Sequence, residues 1–227
     1  MSWREHTSQH YEQQLRRIRD RLLVMSDKAE KAISDSMRSL VERSTSLADD
    51  VIGRDDEIDQ MELEIDDLAL QTLALEQPVA GDLRFLATVL KIVRDLERVG
   101  DIAVNTAERV RELLTESELK PLIDLPIMAH MAQQSLRMSL DALVNGDVEL
   151  ARRVIREDVQ LDYMYEQVFR ELLTYMLEDP TTISRCVKLV FIAKGLERVG
   201  DHAANIAEMV VFLVRGQDIR HGTSADS

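Results

Sequence analysis

One hexapeptide occurs twice in this chain, and that repeat constrains the fold more than any other feature of the sequence. Leu-Glu-Arg-Val-Gly-Asp spans residues 96–101 and again residues 196–201. Five further residues also recur 100 positions later: Ala103, Asn105, Ala107, Glu108 and Val110. Packing of an amphipathic helix explains a repeated apolar stripe, but not identity at acidic positions and at a glycine. The repeat therefore indicates an internal duplication whose acidic positions have a function.

The duplication also covers the helices that precede the hexapeptide. Six apolar residues of the first half recur with an offset of 103: Leu40, Val41, Leu47, Ala48, Val51 and Ile52. The offset changes between the second and third helix of each half, where a turn can absorb the difference in length. Each half is therefore predicted to be one three-helix unit.

Apolar residues spaced three and four apart predict six α-helices in two matching sets, at about 8–41, 47–75, 83–114, 127–144, 148–177 and 180–214. Asp147 is placed to cap the fifth helix, and Asp179, followed by Pro180, to cap the sixth. Two prolines and mixed charge mark a boundary at 115–126, which predicts domains at 1–120 and 121–216 and a flexible tail at 217–227. The predicted fold is all-α, with two tandem three-helix bundles related by a pseudo-two-fold axis.

The net negative charge of the chain limits the classes of partner that it can bind. A net charge of −14 would repel nucleic acid and anionic lipid, and it favours metal cations or basic protein patches. The longest apolar run has six residues against about 20 for a membrane span, and residues 1–10 lack the apolar core of a signal peptide. Cys186, the single cysteine, lies in an apolar stripe and suits a reducing compartment as a buried thiol. We expect a soluble, cytoplasmic protein.

Acidic pairs repeat on two helices of each half. The second helix carries Asp-x-x-x-Asp and the third carries Glu-x-x-x-Asp, and this spacing places both carboxylates of a pair on one helix face. If the first hairpin folds at Pro78, Asp59 lies 19 residues before it and Glu97 lies 19 after it. Asp55 and Asp101 are each 23 residues away, and the second half repeats the pattern to within one residue. The four acids of each half are therefore predicted to lie at matching heights.

Four converging carboxylates repel one another unless a positive charge lies among them. An all-oxygen shell suits hard cations such as Mg²⁺, Mn²⁺, Ca²⁺ or iron. Zinc is a weaker candidate, because His202 corresponds to Ile102 and no histidine belongs to the repeated set. No organic cofactor is indicated. The predicted metal ligands are four acids in each half: Asp55, Asp59, Glu97, Asp101, Asp158, Asp162, Glu197 and Asp201.

Alternatives to a metal site stay open at this point. Arg94 and Arg98 each precede an acid of the third helix by three residues, so the acids could form surface ion pairs on a metal-free scaffold. A ferritin-like carboxylate oxidase also uses acids in a helical bundle, but its Glu-x-x-His pairs do not occur here. Gly100 and Gly200 lie mid-helix at a cost of about 1 kcal/mol each. Close packing against a neighbouring helix or room for a ligand could offset that cost.

The repeated motif and the six-helix layout resemble the PhoU family of phosphate-signalling regulators over nearly the whole chain. The family's signature, Glu/Asp-x-x-x-Asp, is matched at 97–101 and 197–201, and the stretches 175–179 and 215–221 are also similar to bacterial members. The resemblance implies a cytoplasmic, often dimeric negative regulator of the phosphate-starvation response and of high-affinity phosphate uptake, with no catalysis required.

The same resemblance implies partners and a site. The regulator would act as an adaptor between the ATPase subunit of the phosphate transporter and the sensor histidine kinase PhoR. Metal clusters of the kind that some members bind would fall on the eight acids given above.

Overall fold

The computed structural model describes residues 9–120 and 122–219 of the 227-residue chain. The described residues form seven α-helices and no strand, which confirms the predicted fold class. The helices are α1 Gln9–Val41, α2 Thr45–Ile52, α3 Asp55–Glu76, α4 Ala80–Leu113, α5 Asp124–Asn145, α6 Val148–Glu178 and α7 Ile183–Arg215. A 3₁₀ turn, Pro180–Thr182, leads into α7.

Each half packs as its own bundle, and the halves meet mainly along one helix pair. Helices α1, α3 and α4 pack together, with α2 against α1 and α4, while α5, α6 and α7 form the second bundle. Helix α4 packs against α7, and α1 against α5. Burial of aliphatic side chains at helical spacing drives this association. Fully buried examples from all the long helices are Ile18, Ile65, Leu96, Leu136, Leu172 and Ile192.

The predicted second helix is broken, which corrects the sequence-based prediction of one continuous helix over 47–75. Helix α2 ends at Ile52, where the Gly53 amide donates to the carbonyl oxygen of Asp49, and α3 starts at Asp55. The second half has Arg156 and Glu157 at the positions equivalent to 53 and 54, and there α6 runs unbroken. Glycine costs about 1 kcal/mol in a helix interior, which accounts for a break in the first half only.

Side-chain caps fix the helix ends that frame the second bundle. The Asp147 carboxylate accepts the backbone N–H groups of Glu149 and Leu150, so the predicted cap of α6 forms. Asp179 accepts the N–H of Thr181 and caps the 3₁₀ turn, whereas α7 begins after it, with Thr182 at its N-cap and no side-chain cap, which corrects the prediction that Asp179 caps the last helix directly. Cys186 is buried, as predicted. Of the predicted tail, residues up to Ile219 are described and Ile219 packs against the core, whereas 220–227, like 1–8, lie outside the described residues. None of the described helices is long and apolar enough to cross a membrane.

Candidate metal centres

The second half brings its four predicted acids together between α6 and α7. Asp162, Glu197 and Asp201 each have one carboxylate oxygen in a group of three that lie within 4.8 Å of one another. Asp158 lies one turn before Asp162, and a Cβ atom added at Gly200 would be only 2.6 Å from its Oδ1 atom. We call these four acids the second acidic cluster. The two pairs of acids are far apart in the sequence, but they meet because the hairpin places residues equidistant from its turn at the same height.

Gly100 and Gly200 allow a neighbouring helix to pack closely. A Cβ at Gly100 would lie 2.8 Å from Cδ1 of Ile58 on α3, and a Cβ at Gly200 would lie 2.7 Å from Cδ2 of Leu161 on α6. Ile58 and Leu161 are equivalent under the offset of 103, so both halves use the same contact. Close packing therefore accounts for both glycines, and at Gly200 the missing side chain also leaves room for an acid of the cluster.

Burial, followed by repulsion between carboxylates, raises the pKa of two acids of the second acidic cluster. Burial, followed by the carboxylates of Asp201, Asp162 and Glu197, raises the pKa of Asp158 to about 6. Burial also raises the pKa of Asp201, although the Lys194 ammonium opposes that shift. A site that holds several carboxylates out of water favours either bound protons or a bound cation.

Glu197 is the most informative residue of the cluster, because it is only 9% exposed. Its Oε1 atom forms an ion pair with Lys194 Nζ, whereas its Oε2 atom is buried without a hydrogen-bond partner. A buried carboxylate oxygen left without a partner costs about 1–3 kcal/mol or more. A hard cation among the three converging oxygens would remove that cost, so the residues present fit a metal ion with oxygen ligands.

The first half also gathers its predicted acids, but less tightly. Burial and then the Asp59 and Asp101 carboxylates raise the pKa of Asp55, and burial with Asp101 raises the pKa of Glu97. The four acids are therefore neighbours, and we call them the first acidic cluster. Within 9–120 and 122–219, however, only the second half has three carboxylate oxygens within 4.8 Å of one another.

An arginine lies among the acids of the first acidic cluster. Arg98 Nη1 lies 3.0 Å from Oδ2 of Asp101, and its Nε lies 3.4 Å from Oε2 of Glu97. The ion-pair alternative thus describes part of the first half. In the second half Lys194 forms an ion pair with Oε1 of Glu197 and leaves Oε2 without a hydrogen-bond partner. Arg198 and His202 also lie close enough to Asp201 to oppose the rise of its pKa.

Two acids of the first half escaped the sequence-based prediction. Glu62 and Asp66 continue the stripe that Asp55 and Asp59 begin on α3, and burial raises the pKa of both. Their spacing of four, three and four residues could have identified them as part of the same helix face. Comparison of the two repeats does not select Glu62 and Asp66, because the equivalent residues of the second half are aromatic.

The two repeated asparagines make different contacts. The Asn105 amide donates to the backbone oxygen of Asp101 on its own helix, at 2.7 Å. Asn205 donates to the Asp95 carboxylate of α4, at 3.4 Å. Identity of these residues in the sequence therefore does not correspond to one shared role.

Comparison with known proteins gives matches over both halves. The family model for the PhoU domain matches twice, at residues 22–110 and 125–210. The chain is 40% identical to a phosphate-specific transport system accessory protein PhoU homolog of Pseudomonas aeruginosa, over 95% of this chain and 90% of that protein. It is 34% identical to the phosphate-specific transport system accessory protein PhoU of Escherichia coli, over 96% and 90% respectively.

Solved structures match the fold as well. The crystal structure of PhoU from Pseudomonas aeruginosa is similar with a TM-score of 0.89 and 39% identity, over 91% of this chain and 100% of that one. The phosphate transport system regulatory protein PhoU from Streptococcus pneumoniae is similar with a TM-score of 0.84 and 25% identity, over 92% and 99% respectively.

Proposed function

Because this chain belongs to the PhoU family, we propose that it is a negative regulator of the phosphate-starvation response and of high-affinity phosphate uptake. The observation that carries the proposal is likeness along both halves to proteins named as accessory to the phosphate-specific transport system. Association with phosphate transport follows at the level of the family. The direction of regulation is the step that we add.

The regulator would work as a cytoplasmic adaptor without catalysis. It would contact the ATPase subunit of the phosphate transporter and a sensor histidine kinase, and would report the state of one to the other. Two similar bundles packed side by side suit this role, because they offer two related but non-identical surfaces. A homodimer would double those surfaces.

Metal binding would support the adaptor. Asp158, Asp162, Glu197 and Asp201 would hold Mg²⁺, Mn²⁺ or iron, and the first acidic cluster would hold a second ion less firmly because Arg98 already neutralises part of its charge. The cation would supply positive charge between α6 and α7. The carboxylates would then hold the two helices together through a shared ligand instead of repelling each other.

Deletion of the gene in a strain with a phosphate-responsive reporter tests the regulatory role. We expect the reporter to be active in high phosphate without this protein, and to be repressed again when the wild-type gene is restored. A reporter that stays repressed in high phosphate after deletion contradicts the proposal. Oxygen consumption by the iron-loaded protein, lost on Glu97→Ala, would instead favour the carboxylate oxidase.

Metal analysis of the purified protein tests the site. Asp162→Asn combined with Glu197→Gln should lower the bound Mn²⁺ by about one ion per chain, because both changes remove ligand charge. Glu166→Gln is the matched control, since Glu166 is an exposed acid of the same helix that pairs with Arg170. Equal metal content in all three proteins would argue against the second site.

A further inference from the structure

The two halves differ on the hairpin face that continues from each acidic cluster toward its turn. On α3 the acids Asp55 and Asp59 are followed along the same stripe by Glu62 and Asp66. The equivalent residues on α6, under the offset of 103, are Tyr165 and Phe169. The first half therefore carries charge for three helical turns, whereas the second half changes from acidic to aromatic after one.

Six apolar residues line one side of the second hairpin, which we call the α6–α7 apolar face: Tyr165, Phe169 and Leu173 of α6 with Ile183, Val187 and Val190 of α7. Four of them are exposed, whereas Tyr165 and Val190 are partly buried and pack against the core. Phe169 is 43% exposed and Leu173 42%. Residues spaced by three and four share one side of a helix, so each helix contributes one stripe. Apolar side chains exposed side by side indicate a binding surface, unlike singly scattered ones.

The α6–α7 apolar face begins where the second acidic cluster ends. Lys194 Nζ lies 5.3 Å from the centroid of the Tyr165 ring and also forms the ion pair with Glu197. The ring centroids of Tyr165 and Phe169 are 6.4 Å apart. Acids and apolar groups thus follow one another along the line where α6 and α7 pack together, which we call the groove. From position 158 to position 173 the groove spans about 22 Å, at 1.5 Å per residue.

We propose that this groove docks an amphipathic helix of a partner protein. The helix would place apolar side chains, spaced by three and four residues, on Phe169, Leu173 and Val187, and lysines or arginines at one end over the second acidic cluster. Docking of a helix in a groove uses this combination of an apolar stripe with charge at one end. The inference deepens the proposed adaptor function, on which it rests, by naming the chemistry of one partner surface.

Charge argues against the other occupants. A second copy of the chain, packed on this face by a two-fold axis, would place the acidic cluster over that of its partner if the helices ran parallel. With antiparallel helices, the cluster would lie over the hairpin tip, which carries exposed Glu178 and Asp179. Like charges meet in both cases. An anionic lipid surface is repelled for the same reason.

The test uses three fluorescent 18-residue peptides and the full-length protein in a chelating buffer. All three peptides have the same composition of apolar residues; the first carries three lysines in its last turn, the second carries three glutamates there, and the third scrambles the apolar spacing of the first. Fluorescence anisotropy measures binding. We expect the lysine-ended peptide to bind at least about tenfold more tightly than each of the other two.

Variants locate the binding. Phe169→Ser with Leu173→Ser should weaken binding of the lysine-ended peptide about tenfold or more, while Phe169→Leu should retain it. Leu70→Ser is the matched control, because Leu70 is the exposed equivalent of Leu173 in the first half and should change binding less than twofold. The melting temperature of each variant verifies that a loss of binding is not a loss of folding.

Three results would overturn the inference. They are equal affinity for the lysine-ended and glutamate-ended peptides, equal loss of binding in Leu70→Ser, and Phe169-dependent binding to phosphatidylglycerol vesicles or to a second copy instead of the peptide. The reporter separates this inference from the proposed function. If deletion activates the reporter but the peptides do not bind, the regulatory role stands and only the docking groove is rejected. If the peptides bind but the reporter does not respond to deletion, the docking groove stands and the regulatory role is rejected.

Discussion

Nδ1 of His202 lies 2.8 Å from Oδ1 of Asp95, across the junction where α7 of the second half packs on α4 of the first. The two positions related to this pair by the repeat hold Gly195 and Ile102, and a Cβ added at Gly195 would lie 3.1 Å from Cγ2 of Ile102. One contact of the pseudo-two-fold junction is therefore polar, and the contact related to it by the repeat is apolar. Both polar side chains are largely buried, at 15% and 18% exposed.

Breaking the polar contact should weaken the junction between the halves. We expect His202→Ala and Asp95→Ala each to lower the free energy of unfolding by about 1–2 kcal/mol. His202→Ala leaves the buried Asp95 carboxylate with only the longer hydrogen bond from Asn205, and Asp95→Ala removes the partner of Nδ1 of His202. The double variant should lose about 1 kcal/mol less than the sum of the two. Urea denaturation of the four proteins measures this coupling, and strictly additive losses would show that the contact contributes nothing. His130→Ala, on the exposed side of α5, is the control.

The two mid-helix glycines should respond differently to alanine. At Gly100 the nearest obstacle is the flexible Cδ1 atom of Ile58, so Gly100→Ala should change stability by less than about 1 kcal/mol, helped by the better helix propensity of alanine. At Gly200 the new Cβ would overlap both Asp158 and Leu161, so Gly200→Ala should destabilise by about 1–3 kcal/mol.

Metal content distinguishes that overlap from a general packing defect. Gly200→Ala should also lower Mn²⁺ binding at the second acidic cluster, because Asp158 has to move, while Gly100→Ala should not. Thermal unfolding and metal analysis of both variants give the comparison. Equal metal content with equal stability loss in the two would contradict the proposed difference.

Asp158 should make the metal-free protein less stable as the pH rises. Burial first, and then Asp201, Asp162 and Glu197, raise the pKa of Asp158 from 3.8 to about 6 in the folded state. The folded state therefore binds more protons than the unfolded chain between these values, and stability falls as the pH rises from about 4 to about 6. The full shift corresponds to at most about 3 kcal/mol, and solvent screening reduces it to about 1 kcal/mol.

Asp158→Asn removes this contribution. In a chelating buffer at pH 7.5 the variant should be about 1 kcal/mol more stable than the wild type, and its stability should depend less on pH between 4 and 6. Urea denaturation across that range provides the measurement. A variant that is less stable than the wild type at pH 7.5 would show that ionised Asp158 is stabilised in a way that the geometry does not account for.

The heights of the acids are predictable from sequence because helix rise per residue is constant. Equal distances of Asp59 and Glu97 from Pro78 suffice to place them together once a hairpin is assumed. The helix break at 53–54 is less predictable, since glycine inside a helix usually only weakens it. The contact between Asp95 and His202 could not be predicted from the repeat, because the two copies differ at these positions. It also depends on how the two halves pack against each other.

The same limit applies to the groove of the second half. Repeat comparison selects what the two halves share, which is the pair of acidic clusters, and discards what distinguishes them. Tyr165 and Phe169 distinguish the second half, and only the coordinates show that Phe169 is exposed and that Lys194 lies between the Tyr165 ring and Glu197. Sequence therefore predicts the shared site better than the surface that makes one half different.

Lys194 should compete with a metal ion for the second acidic cluster. Its ammonium is the only basic group that forms an ion pair with Glu197 among the described residues, and it also opposes the raised pKa of Asp201. Lys194→Met keeps most of the apolar stem against Tyr165 while removing the charge. Without metal, the variant should be destabilised by about 1–2 kcal/mol at pH 7.5, because Glu197 then lacks its counter-charge.

With Mn²⁺ bound, Lys194→Met should no longer be at a disadvantage to the wild type, because in the variant the ion does not share the carboxylates with an ammonium group. We expect Lys194→Met to bind Mn²⁺ about five- to tenfold more tightly than the wild type, and to regain its stability when the ion is added. Lys188→Met is the control, since Lys188 lies on the same helix and pairs instead with Glu116. Isothermal titration gives the affinities, and weaker Mn²⁺ binding in Lys194→Met would mean that the lysine organises the carboxylates instead of competing for them.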